Sequence, residues 1–342
     1  MPKRVTLADV AGLAGVHTAT VSRALNVLTE NQVNTETAKR VQKAAKQLGY
    51  IPNVMARGLR MSLSMTVGVI VPDLTNPIFP PMVRGIETVL SAQGYTALIA
   101  NTDGSGATER SQFTSLLERR VDGFILATGQ TDHPLLIEAY EREIKAVMIN
   151  RGSTEVPYPL VAGDDAAGIR AAVRHLLDLG HSDILHIAGP MEFSTSRVRA
   201  ESFAAALDAK HHVRSRSIQA AALTIEAGNE SMLEVIAGPS PLPTAVVASN
   251  DLLALGAIRA LRSSALNCPT DVSVVGFNDM PFAGDFSPPL TTVRVPLFDM
   301  GGEAARLLLE GISSGTQASI TITLPVSFVE RESTAAPRLS DT

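Results

Sequence analysis

Side chains that could grip a nucleic acid are concentrated at the start of this 342-residue chain. In the stretch TLADVAGLAGVHTATVSRALN, Thr18, Ala19, Thr20, Ser22 and Arg23 fall on one short helical segment. An arginine can pair bidentately with guanine O6 and N7, and hydroxyls can bond phosphate oxygens. Residues 1–60 hold nine Lys/Arg against Asp9, Glu30 and Glu36, a charge of +6. The whole chain carries −5, so the remainder carries −11. A basic head on an acidic body points to a polyanionic partner for the head alone.

A second set of residues suits recognition of a small polar molecule. Asn150 ends the apolar run AVMI, Asn250 ends TAVVAS, and Asn278 ends VSVVGF. Arg199 opens a helical stretch after ILHIAGP, and Thr195 and Asp73 lie near similar strand ends. Amides both donate and accept hydrogen bonds, and a guanidinium donates five. The seven histidines show no metal spacing, and no cofactor is expected. A dinucleotide-binding enzyme is the first rival. Its fingerprint needs a third glycine, and the one glycine cluster that follows a strand, DGSGATER, has Gly104 and Gly106 but Glu109 in that place. No GxSxG, Walker or zinc motif occurs. The Gly180-His181 pair reads as a helix terminator.

The elements that must position these residues follow from periodicity. Val10, Ala14, Val16, Val21 and Ala24 have the spacing of two crossed helices joined by a turn at Gly15. Thr6 can cap the first helix with Asp9 three residues on. A third helix is predicted from Asn34 to Leu48, ended by Gly49. Together these form the pattern of a DNA-binding helix-turn-helix. Beyond Pro52, Asn53 could cap one short helical turn from Val54 to Leu59, and Ser62 and Ser64 mark a linker. From Met65 short apolar runs alternate with helical stretches: VGVIV, TALIA, GFIL and AVMI, then LVAG, ILHIA, SIQAA, TAVVAS and VSVVGF. That alternation means parallel sheets covered on both faces, in two series, hence two doubly wound lobes. Ligands in such folds bind beyond the carboxyl ends of the strands. Nothing after Arg331 reads as ordered.

Composition sets the outer limits. Apolar residues make up 45%, enough for a sizeable core. No apolar run is long enough for a transmembrane helix, and no apolar signal region follows Lys3-Arg4, so no membrane partner is expected. A secreted binding protein would share the core but not the basic head. The single cysteine, Cys268, fits a reducing cytoplasm.

The ordered segments TLADVAGLAGVHTATVSRALN, KQLGYIPN, ARGLR, NPIFPPMVRGIE, RRVDGF, HLLDLGH, ASNDLLALGA, PTDVSVVGFND and PPLTTVRVP carry a resemblance over nearly the whole chain. It resembles the LacI/GalR family of bacterial transcriptional regulators. The resemblance implies an α/β protein: an all-α helix-turn-helix headpiece joined by a hinge helix to a two-lobed, periplasmic-binding-protein-like core. The expected boundaries are residues 1–60 for the headpiece, with the hinge helix about 53–60, and 61–334 for the core. The N-lobe would take about 65–161 plus 293–322, the C-lobe about 164–289 plus 326–334, and 335–342 would be a disordered tail.

The family's function is then expected: a cytoplasmic, nucleoid-associated homodimer, most simply a repressor and not an enzyme. It would bind a double-stranded DNA operator of pseudo-palindromic sequence under control of a small-molecule effector, a sugar or related metabolite. The resemblance implies base contacts from Thr18, Ala19 and Arg23, and phosphate contacts from Thr6, Thr20, Ser22 and Asn34. Leu59 matches a leucine wedge for the minor groove, with Ala56 and Arg57 beside it. His17 departs from the family's serine or threonine, and a protonated imidazole beside phosphate would make DNA binding sensitive to pH. For the effector, Arg199 aligns with the family's ligand-holding arginine and Phe79 with a stacking position, alongside Asp73, Asn150, Thr195, Asn250 and Asn278. Relatives often carry aspartate at 150 and 278. The pocket therefore loses negative charge while keeping Arg199, which favours an effector with a carboxylate or phosphate.

Overall fold

The computed structural model describes residues 5–25, 29, 32–50, 63–130, 133–208, 210, 212–317 and 319–338. Two compact units divide between Ser64 and Met65. The expected hinge turn, with Ala56, Arg57 and Leu59, lies outside the described residues.

The first unit contains α1 (Leu7–Ala14), α2 (Thr18–Ala24) and α3 (Thr35–Leu48). Thr6 and Asp9 form a reciprocal capping box: the Thr6 amide donates to Asp9 at 2.8 Å while Thr6 Oγ1 accepts from the Asp9 amide. Gly15 ends α1 at φ 62°, a conformation that costs glycine least. The core is made of small side chains, Val10, Ala11, Ala14, Val21, Ala24, Val41, Ala44 and Ala45, which lets short helices cross closely. Arg40 Nε donates to the Ala14 carbonyl at 2.9 Å, placing a cation at the C-terminus of α1.

The second unit opens with β1 (Thr66–Val71), α4 (Phe79–Ala92), β2 (Thr96–Asn101), α5 (Gly106–Glu118), β3 (Gly123–Leu126), α6 (Pro134–Glu141), β4 (Ala146–Ile149) and β5 (Leu160–Gly163). It continues with α7 (Asp165–Asp178), β6 (Asp183–Ala188), α8 (Ser194–Leu207), β7 (Arg214–Gln219), α9 (Ile225–Ala237), β8 (Ala245–Ala248), α10 (Asp251–Ser263) and β9 (Ser273–Val275). The last elements are β10 (Thr292–Arg294), α11 (Leu297–Ser314), β11 (Thr321–Leu324) and β12 (Ser327–Val329).

One sheet has the order β11-β5-β4-β3-β1-β2 and the other β7-β6-β8-β9, with every pairing parallel. Strands β3, β4, β6 and β8 are buried at every residue, as central parallel strands covered on both faces must be. The chain leaves the first sheet between Gly163 and Asp165, returns through α11 after the β10 residue Arg294, and leaves again after Leu324. Strand β10 pairs antiparallel with β12, and its bridges Val275–Thr291 and Asn278–Arg294 tie it to the end of β9.

Helices α9 and α10 cross with almost no space between their backbones. A Cβ on Gly256 would lie 2.2 Å from the Ile225 carbonyl oxygen and 2.6 Å from the Asn229 nitrogen. Gly256→Ala is therefore expected to destabilise the second unit by about 1–3 kcal/mol, read as a lower urea midpoint with an unchanged slope.

The end of the chain corrects the sequence-based expectation. The predicted disorder after Arg331 does not hold for residues 332–338, which include Ala335 from the expected tail. The Val274 amide donates to the Ser333 carbonyl at 2.8 Å. Ser333 Oγ donates to the Val274 carbonyl at 2.6 Å and accepts from the Thr291 amide at 2.8 Å. The Ala335 amide donates to Ser273 Oγ at 3.0 Å. These short polar residues satisfy the backbone groups that β9 would otherwise leave unpaired at its edge. A segment ordered by polar pairing carries no apolar period to reveal it.

Candidate functional site

In the first unit, Val21 and Ala24 turn inward, which leaves two i,i+4 pairs on the rest of α2: Thr18 with Ser22, and Ala19 with Arg23. Arg23 is exposed, and Thr18, Ala19, Thr20 and Ser22 are half-buried. Three hydroxyls, a methyl and a guanidinium thus share one short helix. Thr6 and Asn34 cap α1 and α3, Asn34 by accepting from the Glu36 amide at 2.8 Å. His17 caps α2: its Nδ1 accepts from the Ala19 amide at 3.2 Å.

That cap tempers the expected pH response. Protonating Nδ1 would attract phosphate but break a capping bond of about 0.5–2 kcal/mol, and exposed charge pairs contribute only about 0–1 kcal/mol. The two effects oppose each other, so the position favours a small net dependence.

In the second unit, α8 places Arg199 at the centre of a buried network. Arg199 is 5% exposed and binds Asp165 Oδ1 through Nε at 3.0 Å and Nη2 at 2.7 Å. Its Nη1 donates to the Ser249 carbonyl at 2.6 Å, and the guanidinium lies 3.8 Å from the centroid of the Phe277 ring. The arginine thus joins three strand ends: Asp165 follows β5, Ser249 follows β8, and Phe277 follows β9. Asn250 and Asn278 are the next residues along two of those ends. Burial pushes the Asp165 carboxyl above its ordinary range, and the guanidinium pulls it back.

This arrangement overturns the charge argument for an anionic effector. Arg199 is not left uncompensated by Asn150 and Asn278, because Asp165 neutralises it within the site. The Asp165 signal lay one strand away, in GDDAAG, with no spacing to connect it to Arg199.

Asn250 also has internal duties. Its Oδ1 caps α10 by accepting from the Leu253 amide at 2.8 Å, and its Nδ2 donates to the Leu223 carbonyl at 3.3 Å. Asn278 is 5% exposed at φ 112°, and Asn150 is 8% exposed at φ 68°. The segment of Asn150 meets that of Thr195 where the Gly152 amide donates to Ser194 Oγ at 3.0 Å. The remaining two residues do not join this network. Asp73 accepts from the Thr75 amide and hydroxyl at 2.8 and 2.7 Å, closing its own turn. Phe79 is 1% exposed and packs in the hydrophobic core.

Asp251 is a functional neighbour that sequence reasoning passed over. Its carboxylate is 1% exposed and accepts from the Met280 amide at 2.7 Å and Thr292 Oγ1 at 2.5 Å. Those bonds fix the loop that carries Asn278. Among the described residues no cluster of His, Cys, Asp or Glu could hold a metal ion. No helix among them is long and apolar enough to cross a membrane.

A small basic helical unit and a two-sheet core with polar groups at its strand ends define a DNA-binding regulator. Residues 6–53 match the bacterial regulatory proteins of the lacI family, and residues 173–334 match a periplasmic binding protein-like domain. The HTH-type transcriptional repressor CytR of Escherichia coli K12 is 33% identical over 332 residues, covering 97% of this chain and 96% of that protein. A crystal structure of the lac repressor dimer bound to operator and the anti-inducer ONPF superposes with a TM-score of 0.83 at 28% identity, covering 98% of this chain and all of that one. A complex of the transcriptional regulator CelR with cellobiose gives a TM-score of 0.73 at 32% identity, covering 96% and 100%. The chain belongs to the lacI family of transcriptional repressors, which are regulators and not enzymes.

Proposed function

We propose that this regulator binds a pseudo-palindromic operator as a homodimer and that a sugar or related metabolite in the interlobe cleft controls its affinity. The observation that carries the DNA half is the α2 surface, where Thr18 and Ser22 adjoin Ala19 and Arg23. Arg23 reads guanine in the major groove, Thr18 and Ala19 read neighbouring edges, and Thr6, His17, Thr20, Ser22 and Asn34 hold phosphates. Leu59, with Ala56 and Arg57, wedges the minor groove between half-sites. DNA as the target places the protein in the cytoplasm, on the nucleoid. Support comes from the lac repressor complex, a dimer bound to operator and to the anti-inducer ONPF.

The effector half rests on Arg199, Asn250 and Asn278, with Asn150 and Thr195 beside them. Arg199 joins Asp165, which follows the crossing between sheets, to the ends of β8 and β9. Asn150 follows β4 of the first sheet, whereas Asn250 and Asn278 follow β8 and β9 of the second, so a ligand that touches both sets biases the arrangement of the lobes. Effector and operator must then change each other's affinity by the same factor.

The test is selection of bound genomic fragments at fixed salt, followed by footprinting. A protected pseudo-palindrome is expected. Arg23→Ala should weaken binding about 5–150-fold, equivalent to about 1–3 kcal/mol, and relax selectivity at one base pair per half-site. Recovery of sequence-independent fragments only would remove the operator reading.

A further inference from the structure

The seam between the two lobes carries a contact that the effector reading does not use. Residues 150–153 follow β4 of the first sheet, and residues 189–193 join β6 of the second sheet to α8. Across that seam the Arg151 guanidinium lies 3.8 Å from the centroid of the Phe193 ring. One residue further along each segment, the Gly152 amide donates to Ser194 Oγ at 3.0 Å. Each lobe thus supplies one side of two adjacent contacts.

Both sides are anchored in their own lobe. The Asn150 amide donates to the Val161 carbonyl at 2.8 Å, which fixes the start of the first segment to β5. A Cβ on Gly129, just beyond β3, would lie 2.8 Å from the Arg151 carbonyl oxygen, so these first-lobe loops touch backbone to backbone. Arg151 also shares the lining of one cavity with the buried pair Glu109–His133, whose side chains stand 3.2 Å apart in the first lobe. On the other side Phe193 is the N-cap residue of α8, the same helix that carries Arg199.

The energies of this contact oppose one another. Arg151 is 6% exposed, and burial pulls its guanidinium down to about 10, with Arg199 adding to the drop and Glu192 opposing it. The group stays cationic at neutral pH, so closing the seam removes a full charge from water. Against that cost stand the ring face, which attracts a cation more strongly once water is excluded, the pull of Glu192 and the Gly152 bond. Attraction offset by desolvation gives a contact that a ligand can tip, where attraction alone would weld the lobes.

We propose that Arg151 and Phe193 form an interlobe clasp that holds the effector-free core closed, and that both are positioning residues for the effector response. The inference rests on the reading of the interlobe cleft as the effector site. A ligand held by Arg199 acts through α8 on Phe193 and so shifts the balance of the clasp.

Hydrogen exchange on the full chain, with no sugar added, tests it. The Gly152 amide is bonded across the seam, so its exchange reports opening of the clasp. Phe193→Leu keeps an apolar side chain but removes the ring face. It should speed exchange at Gly152 about 2–30-fold, while the amides of β6 and β8 keep their wild-type rates. Should that variant not fold, Phe193→Met removes the ring equally. Phe193→Tyr keeps the ring and should exchange as the wild type does. In the Arg151→Met background, which offers the ring no cation, Phe193→Leu should have no further effect. The proposal is overturned if Phe193→Leu leaves Gly152 unchanged, if β6 and β8 speed up by the same factor, or if the effect persists without Arg151. Repeating the exchange with the operator fragment recovered by the selection separates the two claims. If Phe193→Leu speeds Gly152 and operator leaves it unaltered, the clasp stands and the coupling of the lobes to DNA falls. If operator alters Gly152 and Phe193→Leu does not, the coupling stands and the clasp falls.

Discussion

Replacing Arg199 with methionine is expected to destabilise the second unit by about 3–5 kcal/mol and to abolish its response to effector. The size follows from what the substitution leaves behind. Asp165 is 8% exposed, and Arg199 supplies two hydrogen bonds to its Oδ1. Without the guanidinium, a buried carboxylate has lost its compensating charge, and the Ser249 carbonyl has lost its donor as well. The pH dependence carries the sign of the cause. Burial already raises the Asp165 carboxyl, and removing Arg199 raises it further. A raised acid binds more protons folded than unfolded, so the variant loses stability as pH rises through the folded value. The gap to the wild type should therefore be wider at pH 8 than at pH 5. Arg199→Met combined with Asp165→Asn should recover much of the loss in urea unfolding, because the unpaired charge is gone. Equal instability of the single and double variants would mean that packing on Phe277, not the ion pair, holds this site.

How far such a site can be read from sequence depends on the range of the forces that build it. The capping box at Thr6 and Asp9, the turn at Gly15 and the alternation of β and α segments arise from residues a few positions apart, so they leave local periods and spacings. Arg199 and the asparagines at 250 and 278 were legible because ligands favour strand ends, and the sheets bring those ends together. Asp165 was not legible, since it lies 34 residues from Arg199 and its partnership depends on how α7 packs against α8. The pair Glu109–His133 was hidden for the same reason, and Glu109 in DGSGATER was visible only as the residue that spoils a dinucleotide loop. The order of Ser333 and Ala335 was missed because hydrogen bonds to a strand edge need no apolar pattern.

Asp251 should give the second large effect, and it is one in which an apparently milder residue does better. Burial pushes its carboxyl up to about 7, against the hydrogen bonds from Thr292 and Met280 that lower it. In the unfolded chain an aspartate titrates near about 3.9. Between about pH 4 and pH 7 the folded protein therefore holds a proton that the unfolded chain has released, and folding stability falls with rising pH across that window. A gap of roughly three pH units corresponds to about 4 kcal/mol at most, complete above about pH 7. Asp271 works the opposite way: the hydrogen bond from the Asn267 amide holds its carboxyl low, so the total pH curve mixes signs. The difference between wild type and Asp251→Asn isolates the buried group. Asparagine can keep both contacts, its Oδ1 accepting from the Met280 amide and its Nδ2 donating to Thr292 Oγ1. The variant should match or fall below the wild type at pH 5 and exceed it at pH 8, measured by urea unfolding of the full chain. Asp251→Ala should be worse at both, because the buried Met280 amide then has no acceptor and the loop carrying Asn278 is released. If the Asp251→Asn difference is flat from pH 5 to pH 8, Asp251 is ionised throughout, and its two donors outweigh its burial.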